Sequence, residues 1–239
     1  MPTIKLTTGV LRYKTHPLFL GVKKIDKKIA AQNLALLKVV LEKHDIIFGL
    51  IAGTLLGAVR EDDFISHDED IDLFLLDEQR QKFIDLLPEL MLAGFEVARY
   101  DRRGLLSMIR NGEYIDFYFF TPLSEGLRHC CGWCVPEIFL LQTTTIRFKG
   151  DDYVVPQDSE GYLLYQYGDT WRTPIQYVNF EMPKWKRFLN ELKEKTKEIL
   201  PDFLFYAMVR RAEDKMFKKY EGKIAKYNET YNTSLKVVS

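Results

Sequence analysis

The apolar positions in the first half of the chain alternate between helical spacing and strand spacing. From Lys24 to Lys43 they recur every third or fourth residue, which predicts an amphipathic helix. The apolar run from Ile46 to Ala52 predicts a buried strand, and the stretch from Thr54 to Arg60 predicts a short helix. A second apolar strand is predicted from Ile71 to Leu76, directly after a group of acidic residues.

One more helix and three more strands follow along the chain. Helical periodicity extends from Glu78 to Leu92, and Gly94 stands where a helix stop is expected. Asn111-Gly112 is a strong hairpin signal between the last two of these strands. The three predicted strands are Phe95 to Tyr100, Leu105 to Arg110 and Tyr114 to Phe120.

This order of elements predicts an α+β fold, close to α/β, in which helices flank a mixed β-sheet. The segment from Thr121 to about Tyr177 is less regular, and the tail from about Pro183 is helical and rich in charge. We therefore predict one domain over residues 1–180 and a helical C-terminal extension over residues 181–239 that packs on it.

Composition narrows the class of protein. The chain has 239 residues, 46% of them apolar, which is enough for a hydrophobic core. Lys plus Arg and Asp plus Glu number 34 each, so the basic excess typical of a nucleic-acid binder is absent. No apolar run has the length of a membrane span, and the N-terminus lacks the apolar run of a signal peptide. We expect a cytoplasmic protein.

Three carboxylates are the strongest chemical signal. Asp70 and Asp72 are two residues apart on a predicted strand, so they project from the same face, while Ile71 enters the opposite, buried face. Two adjacent carboxylates repel each other, and a divalent cation between them removes that cost. Asp116 lies in another strongly apolar strand, where an ionised side chain needs a partner. If the two strands are neighbours, the three carboxylates converge on a site for a pair of metal ions.

A phosphate site is predicted next to these carboxylates. Gly53-Thr54 stands where a strand turns into a helix, and the N–H groups of a helix start attract phosphate. Thr54 could add a hydroxyl donor, and Arg60 could offer a fork to phosphate oxygens. In this scheme Asp116 could also receive the proton of an acceptor hydroxyl. Each feature alone is commonly a turn or solvated surface, and the combination is far more specific.

At this point the sequence resembles the LicD family, which includes the fukutin-related proteins. The resemblance is carried by Gly53–Arg60, by Phe64-Ile65 and by Asp68–Asp72, which match the family pattern Gly-Thr-Leu-Leu-Gly-Ala-x-Arg followed by Phe-Ile-Pro-Trp-Asp-Asp-Asp-x-Asp. Downstream, Tyr167–Trp171 matches a Tyr-Gly-Asp-x-Trp block. Ser66-His67 departs from the family's Pro-Trp, which puts the substrate in doubt more than the chemistry.

The resemblance implies a nucleotidyltransferase-type fold and an Mg²⁺- or Mn²⁺-dependent transferase. The transferred group would be phosphocholine or a related alditol phosphate. The donor would be CDP-choline or a CDP-alditol, and the acceptor a hydroxyl of a cell-surface glycan precursor, free or lipid-linked, as in lipopolysaccharide or teichoic acid. Metal ligands and catalytic residues would be Asp70, Asp72 and Asp116, with Asp68 as a further candidate metal ligand. Donor-phosphate contacts would be Gly53, Thr54 and Arg60.

Two other functions stay open at this stage. One is a nucleotidyltransferase that places a nucleotide on a protein, a small molecule or RNA with the same carboxylates. The other is a non-catalytic nucleotide-binding module, against which the presence of all three carboxylates argues.

Three further features have a functional interpretation and a more ordinary one. His129 and the cysteines could bind zinc, but their spacing is too compact, and buried small side chains are favoured. The aromatic cluster could cage a quaternary ammonium, although core packing is commoner. The basic tail could rest on the inner face of a membrane, although a solvated helix face is favoured. The cysteines are Cys130, Cys131 and Cys134, and the aromatic cluster consists of Tyr162, Tyr165, Tyr167 and Trp171. The basic residues of the tail are Arg210, Arg211, Lys215, Lys218, Lys219, Lys223 and Lys226.

Overall fold

The computed structural model describes residues 1–16, 24–174 and 200–236. The chain divides into two compact units, Met1–Pro174 with Lys236–Ser239, and Ile175–Leu235. The predicted boundary at residue 180 lies outside the described residues, and the packing of the C-terminal extension on the first unit stays a prediction.

Most strands of the first unit belong to one mixed sheet. The described residues form eleven strands: β1 (Thr3–Leu6), β2 (Gly9–Arg12), β3 (Gly49–Leu50), β4 (Asp70–Leu76), β5 (Glu96–Asp101), β6 (Leu105–Arg110), β7 (Glu113–Ser124), β8 (Leu127–Cys130), β9 (Trp133–Pro136), β10 (Thr143–Phe148) and β11 (Asp151–Pro156). The sheet runs in the order β10-β11-β3-β4-β7-β6-β5, with β8 paired to the long strand β7 and β9 paired to β8. β1 and β2 form a separate antiparallel hairpin.

Helices flank this sheet. One further helix forms most of the described part of the second unit. The described α-helices are α1 (Lys27–Glu42), α2 (Ala52–Glu61), α3 (Arg80–Asp85), α4 (Leu87–Leu92), α5 (Ile138–Leu141), α6 (Ser159–Tyr167) and α7 (Asp202–Tyr231). The predicted α+β fold with a mixed sheet and a C-terminal helix is confirmed. Within the described ranges, none of the helices has both the length and the apolar character needed to cross a bilayer.

The centre of the sheet is the parallel pair β4 and β7. Alternate residues of both strands, such as Ile71 and Phe117, are fully buried on one face. On that face the ring of Phe83 from α3 lies 4.7 Å from the ring of Phe117 and 5.4 Å from that of Phe119. The opposite face of the same two strands carries the carboxylates, so core packing fixes the strands whose other side forms the candidate site.

Predicted and observed elements differ where the apolar pattern is short or interrupted. The strand expected over 46–52 is limited to Gly49–Leu50, because the helix begins at Ala52. The helix expected over 78–92 consists of a 3-10 turn and two short helices, the second with a proline in its first turn. The prediction that the segment from Thr121 to about Tyr177 is less regular is wrong. Its described part holds the four strands β8 to β11 and the two helices α5 and α6, and exposed threonines obscure the strand pattern of β10.

Candidate active site

A row of polar side chains crosses four neighbouring strands at the centre of the sheet. Asp72 of β4 is the register partner of Asp116 on the parallel strand β7. Asp116 is opposite Ser107 of β6, and Ser107 is opposite Arg99 of β5. Register partners project from the same face, so four strands bring two carboxylates, a hydroxyl and a guanidinium onto one line. Arg99 Nη2 donates to Asp116 Oδ2 at 3.0 Å and to Ser107 Oγ at 3.0 Å.

The start of α2 contacts this row of side chains at Asp72. The backbone N–H of Gly53 donates to Asp72 Oδ2 at 3.0 Å, and the hydroxyl of Tyr118 donates to Asp72 Oδ1 at 3.1 Å. Thr54 Oγ1 accepts a hydrogen bond from the backbone N–H of Asp72 at 2.8 Å. Both oxygens of this carboxylate and its backbone are therefore held by neutral donors and acceptors rather than by a cation.

The loop after α2 brings a further carboxylate over the glycine. α2 ends at Asp62, whose φ of 50° is left-handed, and the chain then passes close to Gly57. A Cβ atom on Gly57 would lie 2.4 Å from the carbonyl oxygen of Asp63, so only glycine allows this approach. The loop then returns to Asp68, and a Cβ on Gly53 would lie 2.3 Å from Asp68 Oδ2. Asp68, Asp72 and the start of α2 therefore meet in one place.

The acidic side chains at this site destabilise one another when ionised. Burial, together with the charges of Asp68 and Asp116, raises the pKa of Asp72 to about 8. Burial also raises the pKa of Asp70 well above its usual range, with added repulsion from Asp72, Asp116 and Asp68. The pKa of Asp68 is raised by burial as well. For Asp116, burial raises the pKa, and the nearby charge of Arg99 opposes that rise. When these acids are ionised, the site has an excess of negative charge that a bound cation would relieve.

The donor set suits a hard divalent cation. Carboxylate oxygens are the ligands that Mg²⁺ and Mn²⁺ prefer, and Asp70, Asp72 and Asp116 would supply them, with Asp68 close by. In the described part of the chain, no three His, Cys, Asp or Glu side chains already stand at the spacing of a metal site. The hydrogen bonds of Asp72 and the ion pair of Asp116 hold these groups instead. Cation binding would therefore require these side chains to move.

Two predicted phosphate contacts are corrected by the structure. Thr54 is buried, at 1% exposure, and its hydroxyl is engaged with the backbone of Asp72. It orients β4 and does not face a ligand. Arg60 lies at the far end of α2, roughly 10 Å along the helix axis from Gly53. Its guanidinium donates to the carbonyl oxygen of Trp171 at 3.2 Å and pairs with Glu61 at 2.6 Å, so it links α2 to the Tyr-Gly-Asp-x-Trp block.

Sequence patterns missed three residues of the site, namely Arg99, Ser107 and Tyr118. Strict strand alternation places Arg99 on the same face as Val97, which is buried in the core. The register of β5 against β6 shifts between these two residues, so Val97 is opposite Met108 whereas Arg99 is opposite Ser107. The bulge at this point turns the arginine to the face with Asp116. Tyr118 could have been noticed as the next residue on the face of Asp116.

The structure also places the remaining candidates. His67 lies close enough to Asp68 to lower the pKa of that carboxyl slightly against the larger effect of burial. Cys130 and Cys134 are buried, as favoured above, and Cys131 is half-buried. In the aromatic cluster Tyr162, Tyr165 and Trp171 are buried, which corrects the idea of an open cage. The seven basic residues of the tail are exposed along α7.

The part of the chain that contains the site matches a known family model. Residues 45–158 match the family model described as LicD/FKTN/FKRP, nucleotidyltransferase domain. The match confirms the resemblance that the segments Gly53–Arg60 and Asp68–Asp72 indicated, and the block Tyr167–Trp171 lies beyond it. A protein of Rickettsia typhi (strain ATCC VR-144 / Wilmington), described as uncharacterized protein RT0683, is 26% identical over 192 residues. This alignment covers 76% of the present chain and 60% of that protein, so the chain spans about three fifths of the relative's length.

Solved structures with a similar arrangement are distant. The lincosamide antibiotic adenylyltransferase LnuA, bound to lincomycin, is 12% identical with a TM-score of 0.43, covering 70% of this chain and 94% of its own. ANT(2″)-Ia in complex with adenylyl-2″-tobramycin is 13% identical with a TM-score of 0.43, covering 84% and 98%. The solution structure of ANT(2″)-Ia is 12% identical with a TM-score of 0.45, covering 86% and 95%. Similarity at this level carries no information about substrates.

Proposed function

We propose that this chain, whose residues 45–158 match the LicD/FKTN/FKRP nucleotidyltransferase domain model, transfers a substituted phosphate group from a CDP-linked donor to a glycan hydroxyl. The transferred group would be phosphocholine or a related alditol phosphate, and the acceptor a free or lipid-linked precursor of a cell-surface glycan. The observation that carries the proposal is the register pairing of Asp72 with Asp116, beside the N–H of Gly53 at the start of α2.

The reaction forms one P–O bond and breaks another. The acceptor oxygen attacks the donor phosphorus that bears the transferred group, and the bond from that phosphorus to the bridging oxygen breaks, so that CMP leaves. The acceptor proton passes to the carboxylate of Asp116 and then to solvent. A divalent cation held by Asp70, Asp72 and Asp116 would neutralise the phosphate charge when bound.

The protein's own groups position these reactants. Thr54 and Tyr118 fix Asp72 on its strand, so the carboxylate keeps its direction. Because Gly53 has no side chain, the start of α2 lies against the carboxylates, where a donor phosphate would benefit from N–H groups of the helix start. Such positioning contributes much of the rate enhancement in phosphoryl-group transfer.

A donor screen with matched variants tests the proposal. The purified protein is incubated with Mg²⁺ or Mn²⁺, a panel of oligosaccharides, and CDP-choline, CDP-ribitol or each of the four NTPs, and products are separated by chromatography. We expect metal-dependent release of CMP from a CDP-linked donor. We expect Asp116→Asn to reduce that rate by at least about 100-fold, because it removes a base and a metal ligand. Asp151→Asn, at a half-buried carboxylate paired with Lys38, is the control and should retain activity.

The other outcomes each contradict the proposal in a distinct way. Release of pyrophosphate from an NTP, with no use of CDP donors, would identify a nucleotidyltransferase. Binding of CDP donors without turnover would identify a nucleotide-binding module. Turnover that survives Asp116→Asn would remove the assigned site.

A further inference from the structure

We propose that Arg99 is a donor-binding residue, which pairs with Asp116 in the cation-free protein and moves to the donor's phosphate oxygens when divalent cations occupy the carboxylates. The inference rests on the proposed function, since it requires a phosphate-bearing donor at the carboxylate row. Arg99 would thus have two successive partners at the same place in the sheet, first a carboxylate and then a phosphate.

The local backbone directs this arginine to the site. Regular pairing of β5 would leave Arg99 on the core face beside Val97, where a guanidinium would be costly to bury. The register shift between these residues places it opposite Ser107 instead. Bulges are frequent next to active sites, where they redirect a side chain. The guanidinium then lies across Ser107, with Nε 3.1 Å and Nη2 3.0 Å from its hydroxyl oxygen.

The side chain of Arg99 is more exposed to solvent than the carboxylate that it contacts. The side chain of Asp116 is 8% exposed, whereas that of Arg99 is 39% exposed. The guanidinium is therefore partly open to solvent, whereas the carboxylate that it contacts is buried. It has donors left to offer, because a guanidinium carries five N–H groups in a fixed fork. A phosphate that approaches the carboxylates from solvent would meet this fork first.

The charges at the site favour an exchange of partners. Among the described residues, Arg99 forms an ion pair with Asp116, which is one of four clustered acids together with Asp68, Asp70 and Asp72. Divalent cations bound to these acids would compete with the arginine for Asp116 and repel it. A diphosphate brings negative charge to the same place, and guanidinium binds phosphate oxygens in a bidentate manner. The arginine would then gain an anionic partner at the moment at which it loses one.

Calorimetry with matched variants tests this role without turnover. Mn²⁺ alone is titrated into the wild type, Arg99→Gln, Arg99→Lys and Arg103→Gln, and CDP is then titrated into each Mn²⁺-saturated protein. Arg103 is the control because it forms a similar half-buried ion pair with Asp101 in the adjoining turn. Circular dichroism establishes that each variant is folded.

Opposite effects on the two ligands are expected. Arg99→Gln should bind Mn²⁺ roughly threefold to tenfold more tightly, because a competing positive charge is gone. It should bind CDP about tenfold or more weakly, because a charge-assisted pair of hydrogen bonds is lost. Arg99→Lys should lie between, since lysine keeps the charge and loses the fork. Arg103→Gln should behave as the wild type.

The outcomes that overturn the inference are separable from failure of the proposed function. If the wild type binds CDP with Mn²⁺ and Arg99→Gln binds it equally well, Arg99 is an ordinary ion-pair partner and the inference is wrong. If the Mn²⁺-loaded wild type does not bind CDP, the proposed function fails and the inference fails with it. Should Arg99→Gln not fold, Arg99→Lys decides, and unchanged CDP affinity in that variant overturns the inference.

Discussion

Replacing Asp72 by asparagine should make the cation-free protein more stable at alkaline pH while removing its response to divalent cations. The carboxyl is 7% exposed and is crowded by the charges of Asp68 and Asp116. Asparagine has nearly the same shape. Its amide oxygen can accept from the N–H of Gly53, and its amide nitrogen can donate to the hydroxyl of Tyr118. The substitution therefore removes the charge and keeps both hydrogen bonds.

The pH dependence follows from the raised pKa of Asp72. In the unfolded chain the carboxyl titrates near 3.8, and in the folded protein burial raises its pKa to about 8. The folded state holds the proton over this interval, so the free energy of unfolding falls as the pH rises from about 4 to about 8. Each pH unit corresponds to about 1.4 kcal/mol, so this one group costs at most on the order of 4 kcal/mol between pH 4 and pH 7.

Urea unfolding between pH 5 and pH 8, in the presence of a chelator, measures this effect. The wild type should lose stability as the pH rises, and Asp72→Asn should lose much less. At pH 8 we expect the variant to be more stable by roughly 1–3 kcal/mol. Asp151→Asn is the control, because burial contributes little there and Lys38 lowers the pKa of Asp151. Its pH slope above pH 5 should match that of the wild type.

Adding Mn²⁺ at pH 8 completes the test. The wild type should be stabilised, because a cation bound to the folded state shifts the unfolding equilibrium, and Asp72→Asn should respond little. If Asp72→Asn is less stable than the wild type at pH 8, or shows the same slope, the carboxyl is not under the electrostatic stress described here. If both proteins respond equally to Mn²⁺, Asp72 is not a cation ligand.

Two further substitutions test how α2 supports the site. Thr54→Val leaves the buried N–H of Asp72 without its acceptor and should cost about 1–3 kcal/mol in urea unfolding, whereas Thr54→Ser should restore most of this; equal stability of Thr54→Val and the wild type would contradict the assigned role. Gly53→Ala places a methyl group 2.3 Å from Asp68 Oδ2 and 3.2 Å from Asp72 Oδ2, so Mn²⁺ affinity measured by calorimetry should fall roughly tenfold or more. Gly222→Ala, with open space around its Cβ, is the control, and an equal effect of the two alanines would refute the steric argument.

The sequence determined the elements with strong periodicity and the identity of the acids. The long apolar stripe of α1 and the apolar strands β4 and β7 extend over enough residues for spacing alone to distinguish helix from strand. Spacing of two in a strand also placed Asp70 and Asp72 on one face. Gly53 was visible because a glycine between a strand and a helix suggests a close approach, and the structure fills that space with the carboxylate of Asp68.

Elements without long apolar runs could be identified only from the tertiary structure. Strands β8 to β11 are four to six residues long, and β10 has mostly exposed residues, so no local pattern marked them. The pairing of β11 with β3 joins residues that are distant in the sequence, and sequence spacing carries no information about it. The same limit applied to the helix expected over 78–92, where packing against the sheet and a proline decided the break.

The partners of each site residue were likewise decided by tertiary structure. The sequence supplied Thr54 and Arg60 as candidate phosphate contacts. The fold directs one hydroxyl to the backbone of β4 and one guanidinium to a carbonyl near Trp171. Conversely, a single extra residue in β5 turns Arg99 out of the core face and onto Asp116. The sequence fixes which groups are available, whereas strand register and helix ends, which depend on distant contacts, decide which groups meet.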